Sequence, residues 1–196
     1  MRAHDDVVGA LSEAQSLGMI GPGSVVAAVE HAWWFVEALR SLVPGSAVID
    51  LGSGGGLPGL VIASARPDVR VVLVERREKR SDFLQRMVRR LGFEHVEVRH
   101  TDVDGVIADV QHRGDRFDAV TARGFGPPES TLRRGVRLIR PGGVIVISEP
   151  PEGDRWRTQL LDELGVRTTR VGAVRCFELA VTQHPEGGST PPSADL

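Results

Sequence analysis

Residues 46–59, which read Ser-Ala-Val-Ile-Asp-Leu-Gly-Ser-Gly-Gly-Gly-Leu-Pro-Gly, decide the fold of this chain. Val48, Ile49 and Leu51 predict a buried strand, and the glycines after them permit the positive φ angles and close backbone approach that side chains would block. Pro58 suits the first turn of a helix, where its missing N–H has no bond to lose. The stretch therefore predicts a strand, a glycine-rich turn and a helix, with a small ligand lying against the turn.

Two classes of ligand use such a turn. Gly54-x-Gly56-x-x-Gly59 matches the dinucleotide fingerprint, and Glu75 follows about 20 residues later, where an acid would bind ribose. Asp50 discriminates between the classes, because a carboxylate beside the turn repels a pyrophosphate and attracts a cationic ligand. S-adenosyl-L-methionine carries an ammonium and a sulfonium but no phosphate. We therefore predict it as the cofactor, with a nicotinamide or flavin site and a purely structural turn as the alternatives.

Composition narrows the remaining possibilities. A chain of 196 residues with 41% hydrophobic residues suits one globular domain, and no apolar run approaches the roughly 18 residues of a membrane span. The N-terminus has no apolar signal core, so we expect a cytoplasmic protein. The single cysteine, Cys176, excludes a disulfide framework, a cysteine-cluster zinc site and iron–sulfur chemistry, and no metal site is predicted. A net charge of −2 gives no global electrostatic reason to bind nucleic acid.

The pattern along the chain predicts an α/β fold. Residues 1–43 are interpreted as an N-terminal helical segment packed on the body, 44–183 as the methyltransferase domain and 184–196 as a disordered tail. Alternation of strand-like and helix-like segments predicts a mostly parallel seven-stranded sheet that ends in an antiparallel hairpin around Gly172. Beyond the first strand, the strand-like runs are Val69–Glu75, Val96–His100, Phe117–Ala122, Gly143–Ser148, Val166–Val171 and Cys176–Thr182. Helix-like segments lie at 24–43, 58–65, 79–91, 104–111, 129–139 and 154–164.

The carboxyl ends of the strands predict where the ligand binds, since ligands of doubly wound sheets lie beyond those ends. Glu75 ends the second strand and would accept hydrogen bonds from both ribose hydroxyls; its alternative role is an ion pair with Arg76 or Arg77. Asp102 follows the third strand and would accept from the adenine amino group; its alternative role is the N-cap of the next helix.

The segment after the fourth strand is where an acceptor should meet the methyl group. Arg123 could hold a phosphate or carboxylate bidentately, and Phe125 could stack on a planar acceptor. The alternatives are that Arg123 only pairs with Glu149 and that Phe125 only covers the core. A ring nitrogen with a free lone pair needs no general base, so the absence of an obvious catalytic His or Cys here is compatible with N-methylation.

Two basic clusters could bind RNA, but their positions weaken that interpretation. They fall on two predicted helices on opposite faces of the sheet, which makes a single footprint difficult, and they equally suit the solvent faces of amphipathic helices. The first cluster contains Arg76, Arg77, Lys79, Arg80, Arg86, Arg89 and Arg90, and the second contains Arg133, Arg134, Arg137 and Arg140.

Four segments resemble one known family, the bacterial 16S ribosomal RNA guanine-N7 methyltransferases, also called glucose-inhibited division protein B. The segments are Asp50-Leu-Gly-Ser-Gly-Gly-Gly-Leu-Pro-Gly, Lys79-Arg-Ser-Asp-Phe-Leu, Phe117-Asp-Ala-Val-Thr-Ala-Arg-Gly-Phe and Pro141-Gly-Gly. The resemblance covers about residues 46–182 and implies a class I, Rossmann-like S-adenosylmethionine methyltransferase fold. It also implies that Asp50 and the Gly52–Gly56 loop hold the methionine part and that Glu75 binds ribose. Arg123 and Arg175 match two arginines of the family.

The departures from the family pattern fall on the acceptor side. Asp102 stands where the family usually has an arginine, and Ile147-Ser-Glu-Pro-Pro replaces a Leu-Lys-Gly element. The family's His-x-x-Asp-Ser element corresponds here only to His31, followed by Ala-Trp-Trp-Phe. The predicted acceptor is therefore ribosomal RNA of the small subunit or, alternatively, a small molecule methylated on nitrogen or oxygen. A third alternative is a protein that binds the cofactor without turnover.

These considerations define the predicted site. The catalytic residues are Arg123 and Phe125, and the cofactor-binding residues are Asp50, Gly52, Ser53, Gly54, Gly56, Leu57, Pro58, Glu75, Arg76, Asp102, Val103 and Arg123. No membrane partner is expected, and the sequence leaves the oligomeric state open.

Overall fold

The computed structural model describes residues 2–180, with side chains from residue 6 onward, and alternates helices with strands. The predicted tail, 184–196, lies outside the described residues. The elements are α1 (Arg2–Ser16), α2 (Val25–Ala38), β1 (Ala47–Leu51), α3 (Gly59–Ala65), β2 (Arg70–Glu75), α4 (Glu78–Arg90), β3 (Val96–His100), α5 (Val103–Arg113), β4 (Phe117–Ala122), α6 (Pro128–Leu138), β5 (Ile139–Ser148), α7 (Thr158–Leu164), β6 (Val166–Val171) and β7 (Val174–Leu179).

The seven strands form one sheet in the order β3-β2-β1-β4-β5-β7-β6. Strands β1 to β5 pair in parallel, whereas β7 is antiparallel to both β5 and β6. This arrangement confirms the predicted α/β class, the mostly parallel seven-stranded sheet and the C-terminal antiparallel hairpin. All five residues of β1 are buried, as expected for a central parallel strand that helices cover on both faces.

Each face of the sheet carries its own apolar core. One core joins α1, α2, α3 and α4, with Phe35, Leu60 and Phe83 among its fully buried side chains. The other joins α5, α6 and α7, with Ile107 and Leu132 at its centre. The two basic helices, α4 and α6, therefore pack on opposite faces, as the sequence predicts. Within residues 2–180, no helix combines the length and the apolar character that crossing a membrane requires.

Several element boundaries differ from those predicted. Strand β5 begins at Ile139 rather than Gly143, because Ile139 has an extended backbone directly after α6 and pairs with Phe117 of β4. Strand β7 runs over Val174–Leu179 rather than Cys176–Thr182. The N-terminal segment contains two helices, and the prediction placed only the second of them.

The amino edge of the sheet is held by Asp118. Its Oδ2 accepts a hydrogen bond of 2.7 Å from the backbone N–H of Ala47, and its Oδ1 pairs with Arg140. The first residue of β1 is thereby tied to β4. This tie sets the register in which Asp50 lies opposite Thr121 at the other end of the strands.

Candidate active site at the carboxyl edge of the sheet

Two cavities lie side by side beyond the carboxyl ends of β1, β2, β3 and β4. The larger cavity has a volume of about 410 Å³ and the smaller one about 290 Å³. Gly52, Arg80 and Gly124 belong to the walls of both. The edge of the sheet at which the sequence predicts ligand binding therefore carries a divided cleft.

Glu75 joins the glycine loop to the larger cavity. It is the last residue of β2 and is 5% exposed. Its Oε2 accepts a hydrogen bond of 3.1 Å from Gly54 N, and its Oε1 accepts one of 2.9 Å from Arg77 N. The alternative ion pairs with the Arg76 or Arg77 side chains are not formed. Because each carboxylate oxygen has a second lone pair, Glu75 can hold the loop and still accept from a ligand hydroxyl.

Asp102 has the capping role that the sequence suggests. It is the N-cap of α5, and its Oδ1 accepts a hydrogen bond of 2.7 Å from Gly105 N. It also lies in the wall of the larger cavity, together with the neighbouring Val103. Its second carboxylate oxygen leaves it able to accept from a ligand amino group.

Phe125 covers the glycine loop from the side of the larger cavity. A Cβ atom at Gly52 would lie only 2.7 Å from Phe125 Cδ2, so only glycine permits this packing. The φ angle of +68° at Gly52 also favours glycine. Phe125 is half-buried and packs against the core beneath it, so it both covers the core and contributes to the cavity wall.

Arg123 lies in the wall of the smaller cavity and has no hydrogen-bond acceptor among the described groups. Burial lowers the pKa of Arg123, and the nearby Asp50 opposes that shift. The alternative pair with Glu149 is absent. Glu149 Oε1 instead accepts from Arg155 Nη2 at 2.8 Å and from Trp156 Nε1 at 3.0 Å. Arg123 therefore presents to the cavity a positive charge that no described acceptor binds directly.

Helix α2 brings His31 close to Arg123. Burial lowers the pKa of His31, and the charge of Arg123 lowers it further, so both favour the neutral imidazole. Three residues later, Trp34 covers the turn of the β6–β7 hairpin: a Cβ atom at Gly172 would lie 2.3 Å from its indole ring. Trp34 is nevertheless 43% exposed. The element that departs most from the family pattern thus packs beside Arg123 and the hairpin.

Asp50 lies behind the loop and lines neither cavity. It is 1% exposed, and its Oδ1 accepts a hydrogen bond of 2.8 Å from Thr121 Oγ1. Its Oδ2 lies against the start of α3, where a Cβ atom at Gly59 would be 2.8 Å away. Burial raises the pKa of Asp50 to about 6, against the opposing effect of the Thr121 hydrogen bond. Because the glycine loop separates Asp50 from both cavities, the carboxylate can act on a ligand there only electrostatically and not by direct contact.

Most of the predicted site residues share the divided cleft. Gly56 and Pro58, like Asp50, lie outside both cavity walls. The predicted residues in the wall of the larger cavity are Gly52, Glu75, Arg76, Asp102, Val103 and Phe125, and those in the wall of the smaller one are Gly52, Ser53, Gly54, Leu57 and Arg123.

The sequence did not reveal the roof of the smaller cavity. Residues 17–24, which we call the strap, connect α1 to α2 and cross over the glycine loop. A Cβ atom at Gly55 would lie 2.6 Å from Ile20 Cγ1 of the strap. Gln15 Nε2 fixes the strap by donating hydrogen bonds of 2.9 Å to both Gly21 O and Gly23 O. The sequence feature that could have predicted this close-packed loop is the presence of three glycines and a proline within the strap.

Comparison with known proteins places this site in a family. The family model for rRNA small subunit methyltransferase G, GidB, matches residues 17–159. The Mycolicibacterium smegmatis protein named Ribosomal RNA small subunit methyltransferase G is 35% identical over 166 residues, which are 81% of this chain and 67% of that protein. The protein of the same name from Acidothermus cellulolyticus is 37% identical over 130 residues, 66% of this chain and 55% of that protein. The chain thus spans about half to two thirds of the length of these relatives.

Solved structures show the same fold at low sequence identity. Cofactor-bound Rv0187 from MTB superimposes with a TM-score of 0.64 at 21% identity, covering 90% of this chain and 89% of that one. A SAM-dependent methyltransferase from Geobacter sulfurreducens in complex with S-adenosyl-L-homocysteine gives a TM-score of 0.55 at 22% identity, covering 72% and 65%. The predicted class I methyltransferase fold and the predicted family are both confirmed, and the chain belongs to the rRNA small subunit methyltransferase G family.

Proposed function

We propose that the protein is an S-adenosyl-L-methionine-dependent methyltransferase that methylates N7 of a guanine in 16S ribosomal RNA. Family membership supports the reaction class and the small-subunit RNA acceptor. The observation that carries the proposal is the hydrogen bond of 3.1 Å between Gly54 N and Glu75 Oε2, which fixes the glycine loop relative to the acid. A loop and an acid held in this way suit a ligand that has a ribose next to an amino acid.

The residues present fit this cofactor. In the larger cavity, Glu75 would accept from the ribose hydroxyls and Asp102 from the adenine amino group, while Arg76 and Val103 flank the base. In the smaller cavity, Arg123 would bind the methionine carboxylate. The cofactor supplies a methyl group bound to a sulfonium. Asp50, behind the loop, would favour its positive charge electrostatically.

The acceptor side needs orientation more than proton transfer. N7 of guanine carries a lone pair, so the attacking atom does not have to be deprotonated. Phe125, which covers the loop at Gly52, would stack on the base and hold it in line with the methyl group. Alignment of this kind supplies an effective molarity of up to about 10⁵–10⁸ M. A small-molecule acceptor and cofactor binding without turnover are not favoured by the family match.

The test uses labelled S-adenosyl-L-methionine with small ribosomal subunits and with 16S rRNA from a strain that lacks its own enzyme of this family. We expect label in 16S rRNA and chain cleavage at one methylated guanine after borohydride and aniline treatment. Label found only in nuclease-resistant small molecules of a cell extract would contradict the proposal. Because the proposed acceptor is ribosomal RNA, we place the protein in the cytoplasm.

A further inference from the structure

Among the residues that the structure describes, Arg80 is the only charged one that belongs to the walls of both cavities. It is the third residue of α4, which begins just after Glu75, and its guanidinium lies beside the glycine loop. Arg80 Nη1 is 3.6 Å from the position that a Cβ atom at Gly54 would occupy. The side chain is partly buried, so its charge is held at the ridge between the cavities rather than extended into solvent.

The acids around Arg80 do not pair with its guanidinium. Within residues 6–180 it has neither an ion pair nor a side-chain hydrogen bond. Three acids line the larger cavity, and all of them have other partners. Glu75 accepts from two backbone N–H groups, Asp102 from Gly105 N, and Asp104 from Arg134 Nε at 3.1 Å. A partly buried guanidinium with five donors and no acceptor is suited to an anionic ligand.

The other arginines of α4 and α6 either have a partner or line neither cavity. On α4, Arg90 pairs with Glu13 at 2.6 Å and Arg86 lies over the Phe83 ring. On α6, Arg134 reaches the larger cavity but is neutralised by Asp104. Arg76 and Arg77 line only the larger cavity and are exposed, so among the described residues Arg80 is the partly buried, unpaired arginine that borders both cavities.

We propose that Arg80 is a positioning residue that binds a backbone phosphate of the RNA acceptor at the ridge between the two cavities. The inference rests on the proposed function, because it assigns the RNA contact of that same site. Adenosine is neutral, and the single carboxylate of the cofactor is assigned to Arg123 in the smaller cavity. The anion left for Arg80 is a phosphodiester, which a planar guanidinium binds bidentately. A phosphate fixed there would place the neighbouring base over Phe125.

The experiment compares Arg80→Ala, Arg80→Lys and Arg89→Ala with the unmodified protein. Arg89 is an exposed arginine of the same helix and lines neither cavity, so its removal controls for the loss of one positive charge. Two affinities are measured for each protein: that for S-adenosyl-L-homocysteine by calorimetry, and that for a protein-free 16S rRNA transcript over a range of salt concentrations. The KM for RNA and kcat are measured in parallel.

We expect Arg80→Ala to weaken RNA binding about tenfold near 0.1 M salt and to reduce the slope of log affinity against log salt by about 0.7–0.9. Its affinity for S-adenosyl-L-homocysteine should stay within about twofold, and the loss should appear in the KM for RNA. Arg80→Lys should restore the salt slope but only part of the affinity, because lysine lacks the planar fork. Arg89→Ala should change neither affinity by more than about twofold.

Two results would overturn the inference. Weaker binding of S-adenosyl-L-homocysteine by Arg80→Ala, with unchanged RNA affinity, would make Arg80 a cofactor ligand. Equal RNA affinities for Arg80→Ala and Arg89→Ala would exclude a phosphate contact at the ridge. Failure of the proposed function is distinguishable from both, because the unmodified protein would then bind S-adenosyl-L-homocysteine but neither bind nor methylate the RNA.

Discussion

The two cavities share a wall but differ in how their charges are satisfied. In the larger cavity, Glu75, Asp102 and Asp104 already accept hydrogen bonds from the protein. In the smaller cavity, Arg123 has no acceptor within the described part of the chain. The carboxylates of the larger cavity are thus held in place before a ligand binds, which suits the neutral adenosine that we propose there. Beyond Arg80, which both cavities share, Arg123 gives the smaller cavity an unpaired guanidinium that a carboxylate would neutralise.

Replacing Glu75 by Gln should disrupt the hydrogen bonds that shape the larger cavity. We expect it to cause the largest loss of ligand affinity among the variants. Gln has the same shape, but it turns one acceptor oxygen into an NH₂ group that faces a backbone N–H, either that of Gly54 or that of Arg77. We expect affinity for S-adenosyl-L-homocysteine, measured by calorimetry, to fall about 100-fold. Glu78→Gln, at an exposed position three residues later, is the matched control. An affinity within about twofold of the unmodified protein would refute the role of Glu75.

Filling the contact between the glycine loop and the strap should deform the smaller cavity alone. A methyl group at Gly55 would overlap Ile20 Cγ1, at 2.6 Å, and approach Ala14 Cβ, at 3.0 Å. We expect Gly55→Ala to lower the free energy of unfolding by about 1–3 kcal/mol in urea titrations, and Ile20→Ala in the same chain to recover part of the loss. Gly9→Ala, with no atom within 4 Å of its new Cβ, should be stabilising. Equal unfolding midpoints for Gly55→Ala and Gly9→Ala would show that the strap can move away from the added methyl group without loss of stability.

Removing Arg123 should show which part of the ligand each cavity binds. If Arg123 binds the methionine carboxylate, Arg123→Ala should bind S-adenosyl-L-homocysteine about tenfold more weakly and bind adenosine unchanged. Adenosine lacks the carboxylate and therefore reports on the larger cavity only. Arg113→Ala, which removes an exposed arginine at the end of α5, serves as the control. Equal losses for both ligands would place the effect of Arg123 in the larger cavity and contradict the division of roles.

The last prediction concerns the pH dependence of stability and leaves the shape of both cavities unchanged. Burial raises the pKa of Asp50 to about 6, from an ordinary value of 3.8. Between these values the folded protein keeps a proton that the unfolded chain has lost, so the free energy of unfolding falls as pH rises through this window. Asp50→Asn cannot ionise, so its stability relative to the unmodified protein should increase between about pH 4 and pH 7.5, by up to about 3 kcal/mol.

Urea titrations at the two pH values measure this gain. The exposed Asp82→Asn is the control and should show no such change. The same pH dependence in Asp50→Asn and the unmodified protein would exclude Asp50 as its source. If Asp50→Asn is more stable but binds S-adenosyl-L-methionine less well, the buried charge is maintained for function.

Local patterns predicted the strand, the glycine turn and the acid that meet at the carboxyl edge of the sheet. The strand, the glycine turn and the following helix are contiguous, and Glu75 ends a recognisable apolar strand, so parallel-sheet geometry alone brings them together. The capping role of Asp102 and its place in the cavity wall were both predictable, because an N-cap that follows a strand also lies at the carboxyl end of that strand. The order of the central strands follows from the right-handed crossovers of βαβ units.

Long-range contacts account for what the sequence did not predict. Arg80 was one of seven basic residues around α4, and only the loop geometry shows that it faces both cavities. The choice of Arg155 and Trp156, rather than Arg123, as partners of Glu149 depends on how the segment after β5 returns to the sheet. The position of the strap depends on packing of α1 against α3, which no local periodicity encodes.

The pairing of β1 with β4 also determines when the site can form. The hydrogen bonds from Ala47 N to Asp118 and from Thr121 to Asp50 each join residues 71 positions apart. At roughly 5–20 residues per second of synthesis, the glycine loop emerges several seconds before the strand that supports it. Closing so long a segment is entropically unfavourable until both strands are present. A nascent chain therefore acquires its binding site late, after most of the sheet has been made.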